Sequence, residues 1–370
     1  MSSETSVAVE NLRKEYGDLT AVKDANFELA TGEFVSILGP SGSGKSTILR
    51  MIAGFESATS GTVTVAGFDI TNDPPFERNT NMVFQDLALF PHLTVGENIE
   101  YGLKQQGIKK DERKQSIKEM LTMVQLEGYA DRDISELSGG EQQRVALARS
   151  IVNEPEVVLF DEPLASLDRK LRQHMQFELQ RIQEETGITF LYVTHDQEIA
   201  LSISDRMVIL NDGHIEQVGS VEELYETPAT QFVADFLGDI NAIQVHVTQL
   251  SDNTVTFTAD NLTLTCDQGD VTLPGNTNLQ EGDHGTVAIR PHNVRLSADP
   301  SEGLISGRVQ NRMYRGNETA YIVATDWDEF LVIDDTLGTT LDIGTTVSLG
   351  WDMNDVFVFV TSEEVSKEAR

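Results

Sequence analysis

The chain has 370 residues, a length that favours two or three hydrophobic cores over one, and its 39% hydrophobic content supplies the apolar material for them. Against 27 Lys and Arg stand 60 Asp and Glu, a formal charge of −33, and such a field repels phosphate backbones and anionic lipid, which disfavours a nucleic-acid binder. No apolar run approaches the roughly 18–20 residues of a membrane span, MSSETSVAVE lacks the start of a signal sequence, and the lone Cys266 excludes an internal disulfide and a cysteine zinc site, so a reducing cytoplasm is expected.

From about Val7 to Leu210 short β-branched runs alternate with helical stretches, the pattern of parallel strands joined by helices. Phe34–Leu38 is the first clear strand. Gly39-Pro40-Ser41-Gly42-Ser43-Gly44-Lys45-Ser46 follows it, fits G-x-x-x-x-G-K-[ST] and leads into a helical pattern over Thr47–Ala53. Glycines let the backbone wrap a polyphosphate so that amides and a helix N-terminus face its oxygens; Lys45 adds a point charge near the β and γ phosphates, and the Ser46 hydroxyl suits Mg²⁺. Residues from about His92 to Ser135 read as a helical insertion, clearest over Ser116–Leu126. Leu137-Ser138-Gly139-Gly140-Glu141-Gln142-Gln143-Arg144 opens a helix over about Glu141–Val152, and its hydroxyl and free amides suit an anion.

Val157–Phe160 is an apolar strand ending in Asp161 and Glu162. Asp161 is placed to hold Mg²⁺ through water, and Glu162, just beyond, to act as general base for an attacking water. Thr189–Val193 forms another strand before Thr194-His195-Asp196, and Met207–Leu210 forms the last of this series. Ligands of open α/β sheets bind at the carboxyl ends of such strands. Beyond Leu237-Gly238-Asp239 short alternating runs take over: Gln244–Thr248, Thr254–Thr258, Gly285–Ile289, Thr319–Ala324 and Val356–Val360. They predict a separate small all-β barrel or sandwich. The expected division is 5–238 and 239–364, with a helical subdomain at about 90–155.

The octapeptide Leu137–Arg144, standing between the phosphate loop and Asp161-Glu162, resembles the signature of ATP-binding-cassette (ABC) ATPases. The resemblance implies an α/β P-loop NTPase cassette: a RecA-like core with a helical subdomain and an antiparallel β subdomain, followed by a small all-β OB-like (TOBE) domain. It implies ATP and Mg²⁺ as cofactors. It also implies a head-to-tail homodimer, in which Ser138, Gly139, Gly140 and Gln142 of one subunit meet the γ-phosphate of ATP held by the other through residues 39–47, Thr47 included. Tyr16 resembles the residue that stacks on adenine. Gln85, after Met82-Val83-Phe84, is similar to the glutamine loop that touches Mg²⁺ or water, and Ser166-Leu167-Asp168 to the loop crossing the dimer interface. His195 resembles the switch histidine at the γ-phosphate.

A single cassette without a membrane span implies separate permease subunits. Ala88–Val95 with Glu97-Asn98-Ile99 resembles the segment of importer ATPases where a permease helix docks, which places the chain on the cytoplasmic face of the membrane and, indirectly, opposite an extracellular solute-binding protein. Ala288-Ile289-Arg290-Pro291 and the closing Val347–Val360 stretch resemble the regulatory domain of importer subunits for maltose, polyamines, iron, and sulfate or molybdate, with His292 where many relatives carry Glu. Phe236–Asn241 and Phe90 look more like the polyamine or iron branch than the sugar branch. A soluble ABC ATPase outside transport is the alternative from another class. Acidity is spread over both parts: 39 acids and 20 bases in residues 1–238, then 21 and 7 in 239–370. That spread resembles the surfaces of halophilic proteins, and it predicts loss of the fold in low salt.

Overall fold

The computed structural model describes residues 4–165, 167–251, 253–260, 262–272, 279–299, 302–335 and 340–361. By its internal contacts the chain divides at Val221/Glu222, upstream of the expected 238/239.

In the first unit, β1 (Thr5–Tyr16) and β2 (Leu19–Ala30) form a hairpin whose two-residue turn uses Gly17 at φ 60. Residues Val7, Val9 and Leu12 of β1 and Val22, Ala25, Phe27 and Leu29 of β2 bury one face. With β4 (Ser60–Val65) and the two-residue β5 (Phe68–Asp69) they make an antiparallel sheet in the order β2-β1-β4-β5. A second sheet is built from β3 (Phe34–Leu38), β6 (Thr80–Val83), β7 (Val157–Asp161), β8 (Thr189–Thr194), β9 (Arg206–Asn211) and β10 (His214–Ser220), in the order β10-β9-β3-β8-β7-β6. All its pairings are parallel except β9 with β10. Every residue of β3, β7 and β8 is buried, as a strand covered on both faces requires.

Two cores cover this sheet. On one side α1 (Lys45–Ala53) and the antiparallel sheet meet Val35, Ile37, Leu159 and Val193. On the other, Phe34, Phe160, Phe190 and Tyr192 pack ring against ring and meet the inner faces of three helices: α2 (Val95–Gln105), α4 (Gly139–Ile151) and α5 (Arg169–Thr186). Between α2 and α4 in sequence, α3 (Lys110–Met123) buries only Leu121 fully. A short α6 (Gln197–Ile203) follows β8. Because β3, β8 and β7 are consecutive neighbours, the loops leaving their carboxyl ends converge at one place.

The second unit has α7 (Val221–Glu226) and α8 (Gln231–Phe236), followed by two antiparallel-rich sheets. In one, Asn241–Leu250 pairs with Thr254–Ala259 and His284–Ile289, and the latter pairs with Val356–Thr361. In the other, Ile305–Tyr314 pairs with Thr319–Ala324 and Thr346–Gly350. Their shared core holds Phe257, Tyr321, Phe330 and Trp351, side chains of this size each contributing about 1.5–3 kcal/mol on burial. Arg290 is 1% exposed. Its Nη1 donates to the carbonyls of Ala234 and Gly238, both at 2.6 Å, while its guanidinium lies 4.3 Å from the Tyr225 ring centre and 5.4 Å from that of Phe357.

Candidate active site

The loop from Gly39 to Gly44 joins β3 to α1, and close backbone packing dictates its glycines. A Cβ on Gly39 would collide with the Leu210 carbonyl; one on Gly44, at φ 104, with that of Ala21. Lys45 is buried and its Nζ donates to the carbonyls of Gly39 and Pro40, both at 2.8 Å, so the side chain curls over the loop. Burial pushes its ammonium below the ordinary lysine range, and the charges of Glu162 and Asp161 oppose that shift. Ser41, Gly42, Gly44, Lys45, Ser46 and Thr47 line a cleft of about 270 Å³ with Ala21 and Glu162. It offers a cation, free amides and a helix N-terminus together, which is the chemistry of a polyphosphate site.

Ser46 donates from Oγ to Asp161 Oδ1 at 2.8 Å. A hydroxyl and a carboxylate from two adjacent elements form an all-oxygen donor set of the kind that fits Mg²⁺. Glu162 carries φ 49, and its amide donates to the Val193 carbonyl at 3.1 Å. That left-handed backbone turns its carboxylate towards β8, where Oε1 lies 3.0 Å from His195 Nδ1. Glu162 and His195 also line a smaller cavity with Tyr192 and Arg172. Burial holds the Tyr192 phenol above its ordinary range, so it is a neutral wall there.

The other expected residues lie off this cleft. Tyr16 is half exposed beside Lys14, whose Nζ is 4.8 Å from the ring centre; burial, and then Glu56, raise its phenol above the usual range, and Thr47 also bonds it. Gln85 is exposed in the turn after β6. Ser138 caps α4 by a capping box, accepting from the Glu141 amide at 3.4 Å while Glu141 accepts from the Ser138 amide at 2.8 Å. Gly139 has nearly open space around it, whereas Gly140 meets Leu171 of α5. Gln142 turns back, donating to the carbonyls of Ile134 and Leu137, both at 3.2 Å. Asp168 caps α5 through the amides of Lys170 and Leu171. Ser166 lies outside the described residues.

Arg50, Arg172 and Arg149 went unread in the sequence, and Asn98 was read only as part of the permease-docking segment. Arg50 reaches Asp161 Oδ2 at 3.5 Å, and its position one turn after Ser46 on α1 was a usable signal. Arg172 pairs with Asp196, next to His195, at 3.0 Å. Buried Asn98 accepts from the Phe90 amide at 2.9 Å and donates to the carbonyls of Phe90, Leu93 and Thr94. Arg149 donates to the carbonyls of Ala88 at 2.8 Å and Leu87 at 2.9 Å. Arg172 and Arg149 reach partners 24 and 61 residues away and left no local pattern, whereas Asn98 bonds only to the turn just before its own helix.

Residues 22–165 match the family model for ABC transporters, and residues 287–359 that of the TOBE domain. A spermidine/putrescine import ATP-binding protein from Rubrobacter xylanophilus is 44% identical over 351 residues, 94% of this chain and 92% of the relative. One of the same name from Thermobifida fusca is 45% identical over 358 residues, 94% of this chain and 91% of its own length. A solved dimeric post-hydrolysis state of an ATP-binding cassette, bound to ADP and Pi, aligns with a TM-score of 0.51 at 36% identity, covering 58% of this chain and 98% of that one.

Proposed function

The chain belongs to the ABC transporter family, and on that premise we propose that it is the ATP-hydrolysing subunit of a polyamine importer. It binds ATP with Mg²⁺ and hydrolyses it. The observation that carries the site is the convergence of Lys45, the Ser46–Asp161 pair and the Glu162–His195 pair at the carboxyl ends of three neighbouring strands. Residues 39–47 cradle the phosphates, with Tyr16 beside Thr47 to carry the adenine. Ser46 and Asp161, with Gln85, would hold Mg²⁺, which would supply positive charge against the polyphosphate. Glu162 accepts a proton from the attacking water, and His195 positions the γ-phosphate. Ser138, Gly139, Gly140 and Gln142 of a second copy, with Asp168 at the crossing, close the site in a head-to-tail homodimer.

No helix among the described residues is long and apolar enough to cross a membrane. In this reading the stroke passes to permease subunits through the segment after Gln85, with the chain on the cytoplasmic face. Polyamine cargo rests on the names of the relatives from Rubrobacter xylanophilus and Thermobifida fusca.

The test is affinity capture of the intact protein from detergent-solubilised native membranes in high KCl, followed by ATPase assay of what is recovered. Polytopic permease subunits and a solute-binding protein are expected, with hydrolysis stimulated by spermidine or putrescine and abolished by Lys45→Ala. Recovery of soluble partners alone overturns the importer reading. Stimulation by ferric iron or a sugar in place of a polyamine reassigns the cargo.

A further inference from the structure

Arg149 sits in the last turn of α4, eleven residues after Ser138 caps its first, a distance along the axis of about 16 Å. Its two terminal nitrogens donate to the consecutive carbonyls of Leu87 and Ala88. Leu87 has φ 62 and Ala88 φ 44, so two adjacent residues with side chains occupy the left-handed region, where a Cβ crowds the backbone. The same guanidinium lies 5.3 Å from the Phe90 ring centre; that ring packs on Tyr101 of α2 at 4.7 Å, and Asn98 fixes the Phe90 backbone. Burial holds the Arg149 guanidinium below its ordinary range, and among the described residues no carboxylate forms an ion pair with it. A half-buried cation is therefore satisfied by the carbonyls of two left-handed residues and a ring. Relaxation of Leu87 and Ala88 would turn those carbonyls away and leave a half-buried charge without them.

We propose that Arg149 is a positioning residue for Gln85: a latch at the far end of α4 that holds the turn two residues beyond Gln85 in its left-handed form, and so ties the placement of Gln85 to the position of Ser138. This deepens the site reading above and rests on it, because Gln85 must itself act on Mg²⁺ or water. One rigid helix then carries at its start the residues offered to the partner's nucleotide, and at its end the grip on the glutamine turn. A displacement of Ser138 towards nucleotide is delivered to Leu87 and Ala88 without passing through the parallel sheet.

The test is steady-state Mg-ATPase kinetics of the full chain. Arg149→Ala is expected to lower kcat by about 10-fold while leaving the KM for ATP within about 2-fold, the pattern of an interaction used in turnover and not in binding. Arg149→Lys should stay low, because one ammonium does not reproduce a planar fork spanning two carbonyls. Ala88→Gly in the Arg149→Ala background should recover several-fold of kcat, since glycine takes φ > 0 without a Cβ penalty and the Ala88 side chain is exposed. Leu87 is spared because it packs against the helical core. Unchanged kcat in Arg149→Ala overturns the latch. So does a loss of kcat accompanied by equal losses of ATP affinity and thermal stability that Ala88→Gly does not relieve, which marks Arg149 as a packing residue. Gln85→Ala separates the two levels: if it turns over as the unsubstituted chain does, the site reading fails; if it is impaired while Arg149→Ala is not, only the latch fails.

Discussion

Glu162 stands at φ 49, a backbone state costing about 1–2 kcal/mol for a residue with a Cβ, and the amide bond to Val193 together with the 3.0 Å contact to His195 holds it there. Strain at this position aims the carboxylate sideways along the sheet edge, across the mouth of the cleft lined by Lys45 and Ser46. The Glu162 carboxylate has lone pairs enough to engage His195 Nδ1 through Oε1 and still accept from water. Glu162→Gln preserves the shape and a hydrogen bond but takes no proton, so turnover should fall by about 10²- to 10⁴-fold while ATP affinity is retained. Single-turnover hydrolysis with a parallel ATP-binding titration checks this; residual turnover within about 10-fold of the unsubstituted chain would remove Glu162 from the role of base. Both residues were legible in the sequence as strand-end positions. Their contact was not, because it joins two chain segments 33 residues apart through the β7–β8 pairing.

Among the elements, the parallel strands were the most legible. Phe34–Leu38 has the bounds its apolar run indicates, and the runs at Val157, Thr189 and Met207 sit within β7, β8 and β9, because burial on both faces leaves unbroken hydrophobic stretches. The β1–β2 hairpin was hidden from a simple alternation test: its register shifts between Val9 and Leu12, with Asn11 at φ 48, and Asp24 is left-handed on the facing strand, so the period of two is broken where it would have been counted. Helix α5 was missed because only Met175, Glu178, Leu179, Ile182 and Gln183 of its 18 residues are buried. The helices before Gly238 join the second unit for a reason no local pattern carries: Arg290 crosses to the carbonyls of Ala234 and Gly238 and stacks on Tyr225. Removing it leaves those carbonyls unpaired and a cavity beneath them. Arg290→Ala should therefore destabilise the second unit by about 3–5 kcal/mol, and Arg290→Lys should recover little, since its ammonium lacks the flat face that lies on Tyr225. Urea unfolding of the full chain in high KCl, followed through Trp327 and Trp351 fluorescence, measures this; a shift below 1 kcal/mol for Arg290→Ala would show that the helices are held by other contacts.

At the scale of the whole molecule the dominant quantity is the charge of −33. The chain has 27 Lys and Arg for 60 carboxylates, so even complete pairing would leave most acids on the surface facing water and one another. At 0.1 M salt the screening length is about 10 Å, long enough for neighbouring carboxylates to repel; at 1 M it is about 3 Å, and that repulsion is removed. Two effects should follow. Within one subunit, unfolding relieves repulsion most in dilute buffer, so the melting temperature should climb steeply between about 0.1 and 2 M KCl. Between subunits the effect should be larger, because the proposed head-to-tail dimer would bring two surfaces of this charge together around two more polyanions. Glu162→Gln, which should lock the ATP-bound dimer, offers a separate reading of the second effect. Gel filtration with ATP and Mg²⁺ should give dimer in high KCl and monomer at a lower salt concentration where calorimetry still shows a folded chain. A melting temperature and a dimer fraction both indifferent to salt would mean that the acidic surface serves hydration alone and would remove the halophile reading. A salt-dependent dimer of a salt-indifferent subunit would place the role of the charge at the interface, making ionic strength a determinant of how readily the ATP site closes.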